Sequence, residues 1–238
     1  MVNVQIITPV KDSWNTTLNT ITCVQCAKTH NSNYTVYNDF SSENVQRLLE
    51  ATSKTCDFEL INIHELTQNK PPNYALVLQH AQQKAKATNA HLLIVESDVE
   101  VKEATITELI KHANQLENAG LIAAITTNVN GEINYPYEFA KHYGCGIKKT
   151  KKRVSFCCTL LTNNFLSAYD FKNLDPSKNW YDIFISRKSI KLGFDNYILM
   201  DLPVIHHPHS SRPWKHLKYS NPVKYYFLKF FVRNNDKI

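Results

Sequence analysis

Two carboxylates follow an apolar run near the middle of the chain. Leu92 to Val95 are four consecutive apolar residues, too few for a helix and without polar alternation, so they predict a strand buried on both faces. Glu96, Ser97 and Asp98 come directly after it. Ligands of open α/β sheets bind at the carboxyl ends of the strands, and two carboxylates one residue apart can hold a divalent cation that in turn holds a diphosphate. A solvated acidic turn is the alternative, because so short a motif also arises by chance.

Three histidines follow the last predicted strand. Residues 197–205 are typical of a strand, and His206, His207 and His209 come at its carboxyl end, the same kind of position as Asp98. One of them could complete a metal site. Imidazole suits Mn²⁺ better than Mg²⁺, which prefers oxygen ligands and water. A surface histidine cluster without a ligand role is the alternative.

The remaining elements place these clusters at strand ends. β-rich runs at 2–10, 34–37, 58–63 and 121–126 alternate with helical patterns after Ser13, around 45–52, and at 73–87 and 104–118. Ser13 can cap the first helix. The βαβαβ order predicts a parallel, doubly wound sheet. A β-rich run at 154–161 and a helix at 180–192 precede the final strand.

Length and composition indicate one large α/β domain, or a domain with a small appendage. Residues 2–10 lack the features of a signal peptide, and no apolar run approaches the roughly 20 residues of a membrane span, so we expect a cytoplasmic protein. The six cysteines then indicate reduced thiols. Cys23, Cys26 and His30 have the spacing of half a zinc site, but no second pair follows and the segment has a helical pattern.

The net charge of +6 is unevenly distributed. Residues 148–153 carry five positive side chains, and residues 212–238 carry seven against one acid, which leaves 15 positive and 20 negative side chains elsewhere. Two basic patches on a mildly acidic body indicate an anionic partner, such as phosphates or an acidic membrane surface, rather than a protein that coats nucleic acid.

The order of these parts resembles the inverting GT-A glycosyltransferases of family 2, nucleotide-sugar enzymes that build bacterial surface polysaccharides. The resemblance covers residues 2 to about 212 and rests on an ordered set of motifs: Thr8-Pro9-Val10, Asn38-Asp39-Phe40-Ser41, Glu96-Ser97-Asp98, Ser155 to Leu161, Asp182 with Arg187 and Gly193, and Val204-Ile205-His206. Asn38 and Glu96 stand where the family usually has Asp, and Tyr181 stands where it commonly has Glu. Only five glycines are present, which is unusual for such loops.

This resemblance implies a GT-A fold, with a Rossmann-like, mostly parallel central sheet, helices on both faces and a C-terminal acceptor-side subregion. The glycosyltransferase domain would cover residues 1–212, with a nucleotide-binding half at about 1–130 and an acceptor-side half at 131–212. Residues 213–238 would form a separate basic-aromatic segment.

The resemblance also implies a role for each motif. Thr8, Pro9 and Val10 would line the base pocket, where Asp39 would accept a hydrogen bond from a uracil or thymine imide; alternatively, Asp39 forms an Asx-turn or starts a helix. Mg²⁺ or Mn²⁺ would bind Asp98 and His206, with Glu96 and Ser97 beside the donor. Asp182 would be the general base of an inverting displacement, or else an ordinary acid in a first helical turn. Arg187 would steady a carboxylate or a phosphate, or else is a surface charge.

The implied partners are a UDP- or dTDP-sugar donor and a saccharide or lipid-linked acceptor, with no nucleic acid. The C-terminal segment either lies at the inner membrane surface or packs as a terminal helix, since its spacing fits both. A nucleotide- or RNA-binding module without catalysis, and a scaffold that has lost activity, are the rival interpretations. The enzyme interpretation requires that residues 39, 98 and 182 converge on one cleft.

Overall fold

The computed structural model describes residues 3–177 and 180–207, which form nine strands and six α-helices. The strands are Val4–Val10 (β1), Ser32–Asn38 (β2), Glu59–Asn62 (β3), His91–Val95 (β4), Val99–Glu100 (β5), Ala119–Thr127 (β6), Ile147–Thr150 (β7), Cys158–Leu161 (β8) and Asp195–His206 (β9). The helices are Trp14–Ala27 (α1), Glu43–Ser53 (α2), Tyr74–Ala87 (α3), Thr105–Gln115 (α4), Asn163–Ala168 (α5) and Tyr181–Lys191 (α6). In this part of the chain no helix has the length and apolar character that a membrane crossing requires.

All nine strands belong to one sheet. Its order is β3-β2-β1-β4-β8-β6-β9-β5, and β7 also pairs with β9. The pairs β1 with β2, β1 with β4, β2 with β3 and β6 with β9 are parallel. The predicted α/β class with a mostly parallel sheet is therefore confirmed.

The alternation of strands and helices in the sequence predicts a parallel sheet, but the observed sheet is mixed. β8 lies antiparallel between β4 and β6, and β5 and β7 run antiparallel to β9. A parallel return requires a crossover connection, usually a helix. Residues 128–157, which connect β6 to β8, contain no α-helix, so the chain comes back in the opposite direction.

Alternate side chains of β4 enter cores on opposite faces of the sheet. Leu93 and Val95 pack in a core with α1, α2 and α4, whereas Leu92 and Ile94 pack in a second core with α3, α5 and α6. Side chains alternate between the two faces of a strand, so a strand that is apolar throughout requires helices on both sides. The predicted double burial of this strand is confirmed.

One local prediction is wrong, and a second is confirmed only in part. Ser13 does not cap α1 with its side chain, and its backbone takes a left-handed conformation with a φ of 58°. The run at 154–161 forms a ladder only from Cys158. Upstream of it, the Val154 and Ser155 amides donate to the side-chain hydroxyls of Ser186 and Tyr137, so these backbone groups are satisfied outside the ladder.

Candidate active site

The carboxyl ends of β1, β2 and β4 meet at one edge of the sheet, because the three strands are parallel. Val10 is paired with Asn38 in the register of β1 and β2. The Asn38 side chain is fully buried; its amide donates to Asn62 Oδ1 at 2.9 Å, and its Oδ1 accepts from the Ser41 amide at 3.1 Å. Asn38, where the resembling family usually has Asp, therefore links the ends of β2 and β3.

The three residues expected to line a base pocket differ in their exposure to solvent. The Thr8 side chain is buried and its hydroxyl shares a hydrogen bond of 2.9 Å with the Tyr34 hydroxyl. Val10 is also buried, and its carbonyl accepts from the Asp39 amide at 2.9 Å. Only Pro9 keeps some exposed surface. Because helices cover both faces of β1, side chains at 8 and 10 are used by the core.

Asp39 joins the end of β2 to the start of α3. Its Oδ2 accepts from the Asn73 amide at 2.8 Å and its Oδ1 from Asn73 Nδ2 at 2.7 Å. Both residues are buried, so this pair fixes where α3 begins. A carboxylate offers about four lone-pair sites, so two bonds from Asn73 leave acceptor capacity at Asp39.

Asp98 and His206 form a buried pair at the strand ends. Val99 pairs with His206 in the antiparallel ladder of β5 and β9, which brings Asp98 Oδ2 to 3.5 Å from His206 Nε2. On the other side of the ring, His206 Nδ1 lies 2.6 Å from the Tyr135 carbonyl. A carbonyl can only accept, so Nδ1 carries a proton, and Nε2 is the ring nitrogen that faces Asp98.

The other two histidines of the cluster do not share this position. His207 Nε2 lies 2.9 Å from Glu100 Oε1, and the His207 backbone amide donates to the Asp98 carbonyl at 2.8 Å. His209 lies outside the described residues. Of His206 and His207, therefore, only His206 directs its side chain towards the Asp98 carboxylate.

Glu96 lies beside this pair, and both Glu96 and Ser97 are partly exposed. Glu96 Oε2 is 3.5 Å from the buried Cys157 thiol. Burial, and then the charge of Asp98, raise the pKa of Glu96 from 4.5 to about 7, and a positive charge on His206 opposes this shift. Burial lowers the pKa of His206, but Cys157 and Asp98 raise it well above its ordinary value. The centre thus favours a cation between its carboxylates.

Asp182 reaches the same edge from the first turn of α6. Its Oδ1 accepts from the Ile183 amide at 2.8 Å, and its Oδ2 lies 3.2 Å from an Arg153 guanidinium nitrogen. Arg153 lies over the Tyr135 ring, 5.8 Å from its centroid, and the Tyr135 ring is 6.4 Å from that of His206. Asp182 and Asp98 are therefore on the same side of the molecule, joined by a short chain of contacts.

Arg187 is not part of this group. It lies on α6 five residues after Asp182, about 140° round the helix axis, and its side chain is exposed. The cation beside Asp182 is instead Arg153, the last residue of the basic run at 148–153.

The residues present fit a divalent cation whose other ligands come from elsewhere. Asp98 supplies a hard oxygen donor and His206 an oriented imidazole, and both side chains are less than 10% exposed. Among the described residues no three ligating side chains are grouped for a metal ion. Mg²⁺ and Mn²⁺ sites that act on nucleotides commonly use one or two protein ligands, with phosphate oxygens and water completing the shell.

Comparison with known proteins identifies the family. The family model for nucleotidyl transferases matches residues 7–144, more than half of the chain, and the match includes the end of β1, all of β2 and β4, and Asp98. The chain belongs to the nucleotidyl transferase family. No curated protein sequence matches it.

Solved structures show that this nucleotidyl transferase family member has the fold of GT-A glycosyltransferases. A structure of GalNAc-T7 with UDP, GalNAc and Mn²⁺ matches with a TM-score of 0.64 at 12% identity over 87% of the chain. The mannosyltransferase PcManGT from Pyrobaculum calidifontis, in complex with GDP-Man and Mn²⁺, matches with a TM-score of 0.67 at 11% identity over 99% of the chain. TarS from S. aureus, in complex with UDP-GlcNAc, matches with a TM-score of 0.68 at 12% identity over 88% of the chain. The chain spans 44%, 66% and 60% of the lengths of these three proteins.

Sequence patterns missed several contacts of this nucleotidyl transferase family member. Arg153 appears in the sequence as one of five similar basic residues, and nothing in its spacing links it to Asp182. Tyr135 lies in a segment without a recognisable motif, and Cys157 lies in the motif Ser155 to Leu161, to which no site role was given, although both contact the candidate site.

Proposed function

We propose that this protein transfers a sugar from a UDP- or dTDP-sugar to a saccharide or lipid-linked acceptor with inversion, in cell-surface polysaccharide biosynthesis. The observation that carries the proposal is the buried Asp98 and His206 pair at the strand ends, with Asp182 facing the same edge. The family match and the glycosyltransferase fold of the solved structures support it.

In this proposal Asp98 and His206 hold Mg²⁺ or Mn²⁺, and Glu96 and Ser97 lie beside the donor. The metal would supply Lewis-acid neutralisation of the charge on the departing diphosphate. Pro9 and the backbone at 8–10 would border the base, with Asp39 accepting from its imide while still bound to Asn73.

Asp182 is the proposed general base. Its Oδ1 is held by its own helix and its Oδ2 by Arg153, so the carboxylate is oriented rather than free to rotate. It would take the proton from an acceptor hydroxyl while that oxygen attacks the anomeric carbon from the face opposite the diphosphate. Arg153 would position Asp182, whereas the resemblance implied for Arg187 either the steadying of a carboxylate or a phosphate, or a surface charge.

Calorimetric titration with UDP, dTDP and GDP, each with and without Mn²⁺, tests the metal site. We expect Mn²⁺ to tighten nucleotide binding in the wild-type protein, and Asp98→Asn and His206→Gln to abolish this gain. His207→Gln is the matched control, because its ring contacts Glu100 instead of Asp98. Nucleotide binding that does not respond to the metal would refute the metal-dependent enzyme.

Transfer or hydrolysis of the donor tests the base. Asp182→Asn should retain metal-enhanced nucleotide binding and lose turnover, because it keeps the shape of the side chain and removes its basicity. Salt-sensitive RNA binding that is indifferent to Asp98→Asn would instead support the non-catalytic RNA-binding interpretation.

Nucleotidyl transfer from a nucleoside triphosphate to a sugar phosphate is a second candidate, favoured by the family match. Against it, the first glycine of the chain is Gly120, so the segment before it has no glycine-rich loop to hold a triphosphate. Release of pyrophosphate from UTP or dTTP in the presence of sugar 1-phosphates would decide in its favour.

The location of the protein and the role of its C-terminal segment are also proposals. Residues 213–238 lie outside the described residues, and their alternating basic and aromatic side chains suit the inner surface of an anionic membrane. Sedimentation of the full chain with vesicles of phosphatidylglycerol, compared with phosphatidylcholine, tests this. Equal sedimentation with both would exclude an electrostatic membrane contact.

A further inference from the structure

Tyr74 is held at the candidate site by the elements on both sides of it. It is the first residue of α3, and the preceding residue, Asn73, is fixed by two hydrogen bonds to Asp39. Its ring packs edge to face against that of Tyr181, with 6.0 Å between centroids, and Asp182 follows Tyr181 directly. The ring therefore lies where the starts of α3 and α6 meet, beside the proposed base.

The Tyr74 hydroxyl is buried and has no hydrogen-bond partner among the described residues. Burial, and then the charges of Glu96 and Asp182, raise its pKa, so the group remains a protonated donor. Nearby buried tyrosine hydroxyls are satisfied: that of Tyr137, for example, accepts from the Ser155 amide at 2.9 Å and donates to the Ser155 carbonyl at 3.3 Å. A buried polar group without a partner is costly, and native proteins retain few of them.

We propose that the Tyr74 hydroxyl binds an oxygen of the transferred sugar and thereby contributes to donor specificity. The inference rests on the proposed function. Two acidic side chains, Glu96 and Asp182, lie in its surroundings and disfavour a phosphate there, whereas a neutral, hydroxyl-rich ring accepts a hydrogen bond without repulsion. A sugar bound at this point would also place its anomeric carbon near Asp182, as single displacement requires.

Thermal unfolding without ligand is the first test, with Tyr74→Phe and Tyr137→Phe as a matched pair. Each change removes one buried hydroxyl, but only Tyr137 loses hydrogen bonds. We expect Tyr74→Phe to leave the Tm unchanged or to raise it, and Tyr137→Phe to lower it. An equal fall in both variants would overturn the proposal, since the Tyr74 hydroxyl would then have a structural partner such as a buried water.

Ligand affinity is the second test. In the presence of Mn²⁺ we would titrate UDP and dTDP, then a panel of their sugar conjugates that includes UDP-GlcNAc, into the wild-type protein and Tyr74→Phe. We expect the affinity for the nucleotide alone to change less than twofold, and that for the best-bound conjugate to fall about tenfold, as for one lost hydrogen bond in a dry site.

Each other outcome has a defined meaning. A similar loss for nucleotide and conjugate would place the hydroxyl on the diphosphate, and no loss for either would place it outside the site; both overturn this inference and leave the proposed function standing. If the wild-type protein binds neither nucleotides nor conjugates, the proposed function itself fails.

Discussion

Gly120 offers a sharp test of how α6 is seated on the sheet. A Cβ atom at this position would lie 2.1 Å from Ser189 Oγ and 2.9 Å from the Cβ of Phe194. Ser189 Oγ donates to Asn196 Oδ1 at 2.7 Å, and the Asn196 amide donates to the Ser186 carbonyl at 2.9 Å, all within the buried contact between α6 and β9. Gly120→Ala must therefore displace Ser189 or α6 itself.

The expected cost follows from these distances. Overpacking of this kind costs about 1–3 kcal/mol, and loss of the Ser189 hydrogen bond to Asn196 adds about 1–3 kcal/mol, so we expect Gly120→Ala to lower the free energy of unfolding by about 4 kcal/mol. For a chain of this size that corresponds to a fall in Tm of about 10 °C. Because α6 carries Asp182, the proposed sugar transfer by the folded fraction should fall as well.

A double-mutant cycle isolates the clash. Ser189→Ala alone should cost about 2 kcal/mol, since Asn196 Oδ1 loses its donor. Gly120→Ala combined with Ser189→Ala should cost at least about 1 kcal/mol less than the sum of the two, because the closest contact is gone. Urea unfolding gives the three values. Strict additivity would refute the argument, as it would mean that the two side chains do not meet.

Two further predictions concern the charged centre. With divalent metal removed by EDTA, Glu96→Gln should become more stable relative to the wild-type protein as the pH rises from 5 to 8. The pKa of Glu96 in the folded state is about 7, above its usual 4.5. The contribution of Glu96 to the free energy of unfolding is therefore fully present below about pH 4.5 and is lost as the pH rises through 7. This shift in the pKa of Glu96 corresponds to about 3 kcal/mol, which we reduce to about 2 kcal/mol because the side chain is partly exposed. If urea unfolding gives a stability difference between Glu96→Gln and the wild-type protein that does not change with pH, the prediction is contradicted. Arg153→Gln should reduce the proposed sugar transfer about 10- to 100-fold by loosening Asp182, whereas Arg187→Gln should leave it within twofold. Steady-state kinetics with both variants decides between them, and equal effects would argue against the assignment to Arg153.

Much of the fold follows from short-range patterns. Leu92 to Val95 could be recognised as a buried strand because both faces are apolar, and the acids after it lie at a strand end for the same reason. The direction of β8 could not be predicted, since it depends on the path of residues 128–157 and not on the composition of the strand.

The site was predictable only where sequence position fixes spatial position. Asp98 and His206 meet because each lies at the end of a strand, and paired strands bring their ends together. The pairing of Asp182 with Arg153 instead depends on where a loop crosses the start of α6. Tyr74 gives no signal in the sequence. It is distinguished by a buried hydroxyl without a hydrogen-bond partner among the described residues, and only the structure reveals this.

The placement of β8 also determines how the chain can be divided. Because β8 fills the space between β4 and β6, and β9 pairs with the other edge of β6, a fragment that ends near residue 130 would expose one edge of β4 and both edges of β6 to solvent and to other copies of itself. We therefore expect such a fragment to aggregate rather than to bind nucleotide. Engineering that exchanges one part of this sheet for another must therefore carry β8 along.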